Sequence, residues 1–203
     1  MNTAMNAGNI KEAKIVMIGS TTVGKTSITI RLTRSQFVES TTSTIGASFQ
    51  SKVVSVGEEQ VKLQIWDTGG SERYRAMAPM YYRDAQAAVI VYDITSKESF
   101  DDVETWLLEL KEKGPKGCII ALVGNKSDLS ASRQVSTQQA QNYADTKKVN
   151  IFFETSALNG ENINELFQKV AEYVFNKPII QETTVSLEKS KSESDNVKKG
   201  CCA

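Results

Sequence analysis

Three short runs of the chain are almost entirely apolar: residues 15–18, 87–92 and 119–123. Such runs are typical of strands that are buried on both faces of a parallel sheet. Between and after them, apolar residues recur with helical spacing. The two clearest sets are Phe100, Val103, Leu107 and Leu110 within 96–113, and Ile163, Leu166, Phe167, Val170 and Val174 near the end. Alternation of strand and helix predicts an α/β domain with right-handed crossovers.

One part of the chain interrupts this alternation. Two extended segments, 47–56 and 60–67, are separated only by Gly57-Glu58-Glu59. A link this short predicts a hairpin, and therefore one antiparallel strand at the edge of the sheet. We predict a three-layer α/β/α domain with a six-stranded, mostly parallel sheet and five helices.

The pattern also sets the expected boundaries. We expect a short N-terminal extension at 1–13, a globular domain at 14–177 and a disordered tail at 178–203. Pro178 should end the last helix, and the tail beyond it is rich in Ser, Lys, Glu and Thr. A chain of 203 residues with 40% hydrophobic residues can bury one good core.

Composition excludes several kinds of chemistry. Basic and acidic residues are balanced at 24 each, so we expect no nucleic-acid partner. We also expect a monomeric domain. Histidine is absent, which excludes histidine bases, histidine metal ligands and serine–histidine triads. Three cysteines are too few for a disulfide framework, and a reducing compartment fits best.

A phosphate-binding motif follows the first apolar run. Residues 19–26 fit the pattern G-x-x-x-x-G-K-S/T, between a predicted strand and a predicted helix. Lys25 should reach the β- and γ-phosphates, and the Thr26 hydroxyl should bind Mg²⁺. The backbone N–H groups that would face the phosphates belong to Ser20, Thr21, Thr22, Val23 and Gly24. The alternative is a glycine-containing turn before an ordinary helix.

Three further motifs stand at predicted strand ends. Trp66-Asp67-Thr68-Gly69-Gly70 places Asp67 where it could hold Mg²⁺ through a water, and Gly70 where its N–H could meet a γ-phosphate. Asn125-Lys126-Ser127-Asp128 offers a carboxylate for the ring N–H and amino group of guanine, which adenine cannot supply. Thr155-Ser156-Ala157-Leu158 could offer backbone N–H groups to the guanine carbonyl.

Each of these motifs has an ordinary alternative as a surface turn, a loop or a core aromatic beside a helix cap. In this order and at strand ends, where open α/β sheets bind ligands, they predict together a guanine-nucleotide site.

The set resembles the Ras-like small GTPases, and in detail the Rab family, over about residues 14–177. The segments that resemble Rab signatures are 45–49 (Ile-Gly-Ala-Ser-Phe), 63–68 (Leu-Gln-Ile-Trp-Asp-Thr), 81–85 (Tyr-Tyr-Arg-Asp-Ala) and 91–95 (Val-Tyr-Asp-Ile-Thr). Segments 78–83 and 85–88 are similar to the early-endosomal, Rab-five-like branch.

The resemblance implies further roles and a switch built from residues 37–48 and 68–82. Thr44 would bind Mg²⁺ and the γ-phosphate, Phe37 would lie against the guanine, and Lys126 would pack along its other side. With Lys25 and the residue at position 71, Thr44 would form the catalytic set. The effector-binding triad would be Phe49, Trp66 and Tyr81, for which simple core packing is the alternative.

The chain departs from the Rab pattern beside the γ-phosphate. Rabs usually read Trp-Asp-Thr-Ala-Gly-Gln-Glu, whereas residues 66–72 read Trp-Asp-Thr-Gly-Gly-Ser-Glu. Ser71 is too short to orient water as the glutamine does. Thr21 adds bulk to the loop, and Gly69 loosens the start of the second switch segment. We therefore expect slow intrinsic hydrolysis of GTP.

Two alternatives to a timed switch stay open from the residues. One is a nearly non-hydrolysing GTP-binding module that is controlled by exchange or abundance. The other is a P-loop kinase or ATPase, against which residues 125–128 and the absence of a lid-like arginine cluster argue.

The last residues, Gly200-Cys201-Cys202-Ala203, are not a C-a-a-X box, because position 200 is glycine. They resemble the double-cysteine endings of Rabs, which usually receive two geranylgeranyl groups; two unmodified thiols are the alternative. The resemblance implies a GTP/GDP switch with Mg²⁺ on the cytoplasmic face of endosomal membranes, with a cytosolic pool. Its implied partners are an exchange factor, a TBC-type GTPase-activating protein, a GDP-dissociation inhibitor, a Rab escort protein and endosomal effectors.

Overall fold

The computed structural model describes residues 10–39, 43–70 and 78–177. Along them, the strands are β1 (Lys11–Ile18), β2 (Ala47–Val56), β3 (Glu59–Thr68), β4 (Ala87–Asp93), β5 (Ile119–Asn125) and β6 (Ile151–Thr155). The helices are α1 (Lys25–Arg34), α2 (Ala78–Tyr82), α3 (Lys97–Lys113), α4 (Thr137–Lys147) and α5 (Ile163–Asn176), with a 3₁₀ segment at Ser127–Ser132. The prediction of six strands and five α-helices is confirmed within this part of the chain.

The strands form one sheet in the order β2-β3-β1-β4-β5-β6. All neighbouring pairs are parallel except β2 and β3, which run antiparallel at the edge as predicted. The order reverses direction beside β1, and in open α/β sheets ligands bind outside the carboxyl ends of the strands at such a switch point. The loop after β1 is therefore placed at the expected position of a binding site.

Two details of the sheet differ from expectation. The hairpin turn is two residues rather than three, because Val56 pairs with Glu59 and Gly57 turns the chain at φ +62°. Strand β1 begins at Lys11, which pairs with Val61, so the sheet starts three residues before the expected boundary at residue 14. Three of the first four residues of the strand, Lys11, Glu12 and Lys14, are charged, so this end does not belong to an apolar run.

The core lies on both faces of the sheet because side chains alternate along each strand. Ile15 and Met17 pack on one face, beneath α1 and α5, and Val16 and Ile18 pack on the other, beneath α3 and α4. The helix residues predicted from their spacing are all buried: Phe100, Val103, Leu107 and Leu110 of α3 and Ile163, Leu166, Phe167, Val170 and Val174 of α5. The sheet and the helices on its two faces form the three layers that were predicted.

Hydroxyl caps fix where two of the helices begin. Ser96 accepts a hydrogen bond from the Ser99 N–H at 3.2 Å at the start of α3, and Ser136 accepts one from Gln139 at 3.1 Å at the start of α4. Within the described ranges, no helix is long and apolar enough to cross a membrane.

Candidate functional site

The loop between β1 and α1 is shaped by two glycines. Gly19 has φ +134°, and a β-carbon there would lie 2.2 Å from the Val91 carbonyl oxygen. Gly24 has φ +98°, and a β-carbon there would lie 2.2 Å from Nδ2 of Asn125. Only glycine fits at either position, so the close packing of this loop against β4 and β5 depends on both residues.

Lys25 folds back into this loop. Its ammonium donates hydrogen bonds to the carbonyl oxygens of Gly19 and Ser20, both at 2.8 Å, and the residue is buried. Burial lowers the pKa of Lys25 to about 8, against an opposing attraction from Asp67. A buried ammonium held only by neutral carbonyl groups is well placed to meet an anion, as the motif predicted.

The three residues predicted to bind the metal meet in one cluster. The Thr26 hydroxyl donates a hydrogen bond to Oδ2 of Asp67 at 2.6 Å and lies 2.9 Å from the Thr44 hydroxyl. Thr26 is the second residue of α1, Asp67 is the second-last residue of β3 and Thr44 precedes β2. Three separate parts of the chain therefore bring their oxygens together.

The Asp67 carboxylate lacks a full set of partners. It is fully buried, and its Oδ1 has no hydrogen-bond partner among the described residues. Burial raises the pKa of Asp67, and the Thr26 hydrogen bond and the Lys25 charge oppose that shift. An unpaired carboxylate oxygen beside two hydroxyl groups is a donor set that suits Mg²⁺, which prefers oxygen ligands.

The strand end after Asp67 contacts the phosphate-binding loop directly. A β-carbon on Gly70 would lie 2.5 Å from the carbonyl carbon and oxygen of Ser20. The Gly69 N–H donates to the Gly46 carbonyl oxygen at 2.8 Å, which joins the two predicted switch segments. Gly70 thus lies where its predicted contact with a γ-phosphate is sterically possible.

Asn125 connects three loops through one buried amide. Its Nδ2 donates to the Val23 carbonyl oxygen at 2.9 Å. Its Oδ1 accepts hydrogen bonds from the Thr155 hydroxyl at 3.2 Å and from the Ala157 N–H at 3.3 Å. The sequence predicted a nucleotide ligand at this position, and the structure adds a structural role that the motif did not reveal.

The other residues of the guanine motif are also held by protein groups. The Ser156 hydroxyl donates to Oδ1 of Asp128, and Ser156 itself is fully buried. Lys126 has φ +70°, and its ammonium pairs with Oδ2 of Asp93 at 2.5 Å. Asp93, which the sequence analysis missed, is the polar residue that ends the apolar strand β4. That position is the signal that could have revealed it.

Many of these residues line one cleft of about 740 Å³. Its volume is within the range of small-molecule sites. Among the predicted ligands, those that line it are Thr21, Thr22, Gly24, Lys25, Thr26, Phe37, Thr44, Gly70, Asn125, Lys126, Asp128, Ala157 and Leu158. Lining residues that the sequence analysis did not single out are Ser27, Val38, Glu39, Ser43, Ile45, Thr68 and Leu129.

Three predicted nucleotide ligands do not line the cleft with their side chains, and neither does the predicted metal ligand Asp67, which joins the site through its hydrogen bond with Thr26. The Ser20 hydroxyl donates to Oδ2 of Asp102 on α3 at 2.6 Å, Val23 is buried in the core, and Ser156 lies behind Asp128. Their predicted contacts can only come from the backbone, as the motif itself specifies for Ser20 and Val23.

The predicted effector triad forms a connected aromatic cluster. The Phe49 and Trp66 rings meet edge to face with centroids 5.6 Å apart, and the Trp66 and Tyr81 centroids are 6.3 Å apart. Phe49 is 52% exposed, which does not fit simple core packing. The Lys14 ammonium lies 5.0 Å from the Trp66 ring centroid. Trp66 also directly precedes Asp67, so the cluster and the carboxylate share one strand.

Three predicted site residues, Ser71, Cys201 and Cys202, lie outside the described residues. Within the described part, no group of three or more Cys, Asp or Glu residues could hold a metal ion. The Mg²⁺ prediction therefore depends on the mixed cluster of hydroxyl groups and one carboxylate.

Known proteins resemble this chain over most of its length. A model of the Ras family matches residues 14–176. The Ras-related protein Rab-5A of Dictyostelium discoideum is 46% identical over 166 residues, which is 82% of each chain. The Ras-related protein Rab5A of Oryza sativa subsp. japonica is 40% identical over 203 aligned positions, covering 98% of this chain and all of the rice protein.

Whether Asp67→Asn or the parent protein is the more stable should depend on whether GDP and Mg²⁺ are bound. Without nucleotide and in EDTA, Asp67→Asn should unfold at higher urea concentration than the parent at pH 7.5, since it removes a buried charge. That advantage should vanish as the pH falls, because the raised pKa means that the parent carboxyl is protonated first in the folded state. With GDP and Mg²⁺, the parent should be the more stable protein.

Asp84→Asn, at an exposed position, is the matched control, and it should leave the urea unfolding curves unchanged both in EDTA and with GDP and Mg²⁺. An Asp67→Asn protein that Mg²⁺ and GDP stabilise as strongly as the parent would contradict this assignment of the metal site.

Proposed function

Since the chain belongs to the Ras family of small GTPases and is Rab5-like along most of its length, we propose that it is a GTP/GDP switch of endosomal membrane traffic. Members of this family bind GTP or GDP with Mg²⁺ and hydrolyse GTP. The observation that carries the proposal is the junction of two assemblies in one cleft. At one end lie Thr26 and Thr44, which Asp67 joins through its hydrogen bond with Thr26, and at the other lies Asp128.

The residues at the phosphate end suit the binding of a triphosphate. Lys25 would exchange its two carbonyl partners for phosphate oxygens, which a charge-assisted hydrogen bond favours. Thr26, Thr44 and Asp67 would hold Mg²⁺, which neutralises charge on the phosphates when it is bound. The Gly70 N–H would donate to the terminal phosphate.

The same contacts explain how the protein would report which nucleotide it holds. Thr44 belongs to the first switch segment, and its hydroxyl already reaches Thr26. Gly69 begins the second switch segment and bonds to Gly46 of the first. Loss of the terminal phosphate would release both segments, as in other nucleotide switches. The exposed Phe49 beside Trp66 would then present the difference to effectors.

The base end of the cleft favours guanine. Ser156 occupies one oxygen of Asp128, and the carboxylate lines the cleft, where the ring N–H and amino group of guanine would be its partners. Adenine offers neither donor in this position, and it would leave a carboxylate unpaired. Phe37 and Lys126 line the same end and would contact the two faces of the base.

We infer from the sequence that intrinsic hydrolysis is slow. Ser71 stands where Rabs usually carry the water-orienting glutamine, and Thr21 adds a side chain to the cleft. A TBC-type activator could still drive hydrolysis, because such proteins are thought to supply both an arginine and a glutamine in trans. If no activator does so, the chain would be a nearly non-hydrolysing module controlled by exchange or abundance.

The pair Cys201-Cys202 supports a proposal for the membrane. Two geranylgeranyl groups on these thiols would hold the protein on endosomal membranes, and a GDP-dissociation inhibitor would maintain a cytosolic pool. Segment 178–203 holds as many acidic as basic residues up to the cysteines, so charge adds no attraction to an anionic surface. One lipid chain alone gives marginal binding, which implies that both cysteines are needed.

The competition between nucleotides tests the proposed function. Unlabelled GTP and GDP should displace a fluorescent GDP from the full chain in Mg²⁺, whereas ATP should not do so at a thousandfold excess, as expected when a buried carboxylate reads the base. Displacement by ATP at concentrations close to those of GTP would support the kinase or ATPase alternative.

The rate of GTP cleavage tests the inference from Ser71. In single-turnover assays, Ser71→Gln should cleave GTP about tenfold faster than the parent. This is less than the 10²–10⁴-fold effect of a fully positioned proton-transfer group, because Thr21 and Gly69 would remain. Equal rates in the two proteins would show that position 71 does not limit the reaction.

Removing one cysteine tests the anchor. In cell fractions, Cys202→Ser should shift most of the protein from membranes to the soluble pool. Cys118→Ser is the matched control, because this thiol lies within the folded domain, and it should leave the distribution unchanged. A Cys202→Ser protein that is as firmly membrane-bound as the parent would rule out the need for two lipids.

A further inference from the structure

Arg31 joins helix α1 to the loop that would bind guanine. Its Nε donates to the Ala157 carbonyl oxygen at 2.9 Å, and its Nη2 donates to the Leu158 carbonyl oxygen. Its Nη1 donates to the Ser35 carbonyl oxygen at 3.1 Å, just beyond the end of α1. One guanidinium therefore bonds three backbone carbonyl groups, two of them consecutive in the loop that follows β6.

These bonds fix the direction of a backbone donor. The peptide between Ala157 and Leu158 is trans, so its C=O and its N–H point to opposite sides. Because the carbonyl faces Arg31, the Leu158 N–H faces away from α1. Both Ala157 and Leu158 line the cleft, and the Ala157 N–H is held by Asn125.

The bond from Arg31 to the Leu158 carbonyl oxygen fixes the next peptide of the loop as well. The Leu158 carbonyl belongs to the peptide whose N–H, on Asn159, donates to the Ser156 hydroxyl at 3.3 Å. That hydroxyl in turn donates to Asp128. Arg31 thus holds from outside the same loop that Asp128 contacts from inside.

An arginine suits this position better than other residues. Its planar fork can donate to two adjacent carbonyl groups at once, whereas a lysine ammonium is a single point charge on a flexible stem. The residue also belongs to the helix that begins with Lys25 and Thr26, only six and five residues earlier. The phosphate-binding helix and the base-binding loop are therefore linked by one side chain.

We propose that Arg31 is a positioning residue for recognition of the guanine 6-carbonyl group. Its guanidinium orients the loop of Ala157 and Leu158 so that the Leu158 N–H meets that oxygen, and it slows nucleotide release. This inference rests on the proposed function, since it requires the cleft to hold a guanine nucleotide.

The rate of GDP release provides the test. Arg31→Gln should release fluorescent GDP about tenfold faster than the parent, which corresponds to 1.4 kcal/mol. Arg31→Lys should release GDP nearly as fast as Arg31→Gln, because lysine keeps the charge but lacks the planar fork that bonds two carbonyl groups. Arg34→Gln, at an exposed position on the same helix turn, is the matched control and should stay within about twofold of the parent.

A second nucleotide separates positioning from simple support of the fold. In 6-thioguanosine diphosphate, a weakly accepting sulfur replaces the 6-carbonyl oxygen, while the ring N–H and amino group that Asp128 would bind are kept. The ratio of release rates between Arg31→Gln and the parent should fall below about threefold with this analogue. Equal ratios for the two nucleotides would overturn the proposal, because they would show that Arg31 only stabilises the fold.

Release of GDP from Arg31→Gln at the parent rate would also overturn it. That failure is distinct from failure of the proposed function, which would appear in the parent itself as an equal preference for GDP and ADP. Circular dichroism and urea unfolding of Arg31→Lys and Arg31→Gln with GDP in excess establish that the release rates come from folded protein.

Discussion

The nucleotide cleft of this protein depends on one buried amide. Asn125 ends strand β5, and its side chain bonds to the phosphate-binding loop on one side and to the segment after β6 on the other. A buried amide can satisfy its donors and acceptors only when all its partners are in place, and leaving one unpaired costs about 1–3 kcal/mol. Gly24 lets the phosphate-binding loop approach this amide closely enough for the contact to form. Loops from three strands are thereby held in one arrangement.

In the part of the chain that the structure describes, the segments that contain Thr44 and Gly69 are held by fewer contacts than the loops that Asn125 joins. Thr44 and Gly69 belong to segments outside the sheet core, and they reach the site through single hydrogen bonds to Thr26 and Gly46. Asp67 combines both features: it lies in strand β3, but among the described residues its Oδ1 has no hydrogen-bond partner. In the proposed function, the base would lie against the loops that Asn125 joins, and the terminal phosphate would lie against segments held by few contacts, which is the division that a switch requires.

Much of the fold could be predicted from the sequence, for identifiable physical reasons. Buried parallel strands are continuous apolar runs, and α3 and α5 show their buried faces through helical spacing. The motif at residues 19–26 was informative because glycine and lysine have few substitutes in that geometry. Strand β1 was predicted too short because three of its first four residues, Lys11, Glu12 and Lys14, are charged. No periodicity marks such a strand end, which only pairing with β3 defines.

The site was predictable where chemistry requires one residue type and unpredictable where distant residues meet. Lys25, Asp67 and Asp128 lie where their motifs placed them. The contacts of Asn125 with Val23, of Arg31 with Ala157 and of Ser20 with Asp102 cross 102, 126 and 82 residues. Local patterns carry no information about such pairs. The substitution at position 71, by contrast, is visible only in the sequence, because the structure does not describe that residue.

The release of GDP from Asn125→Asp tests most directly whether one amide organises the site. The change replaces the donor to Val23 with a second acceptor and keeps the size of the side chain. GDP should leave this variant on the order of a hundredfold faster than the parent. Asn150→Asp is the matched control, because the Asn150 side-chain oxygen accepts a hydrogen bond from the Ile120 N–H, and an aspartate preserves that bond. Release from Asn125→Asp within about threefold of the parent, with the control unchanged, would contradict the account.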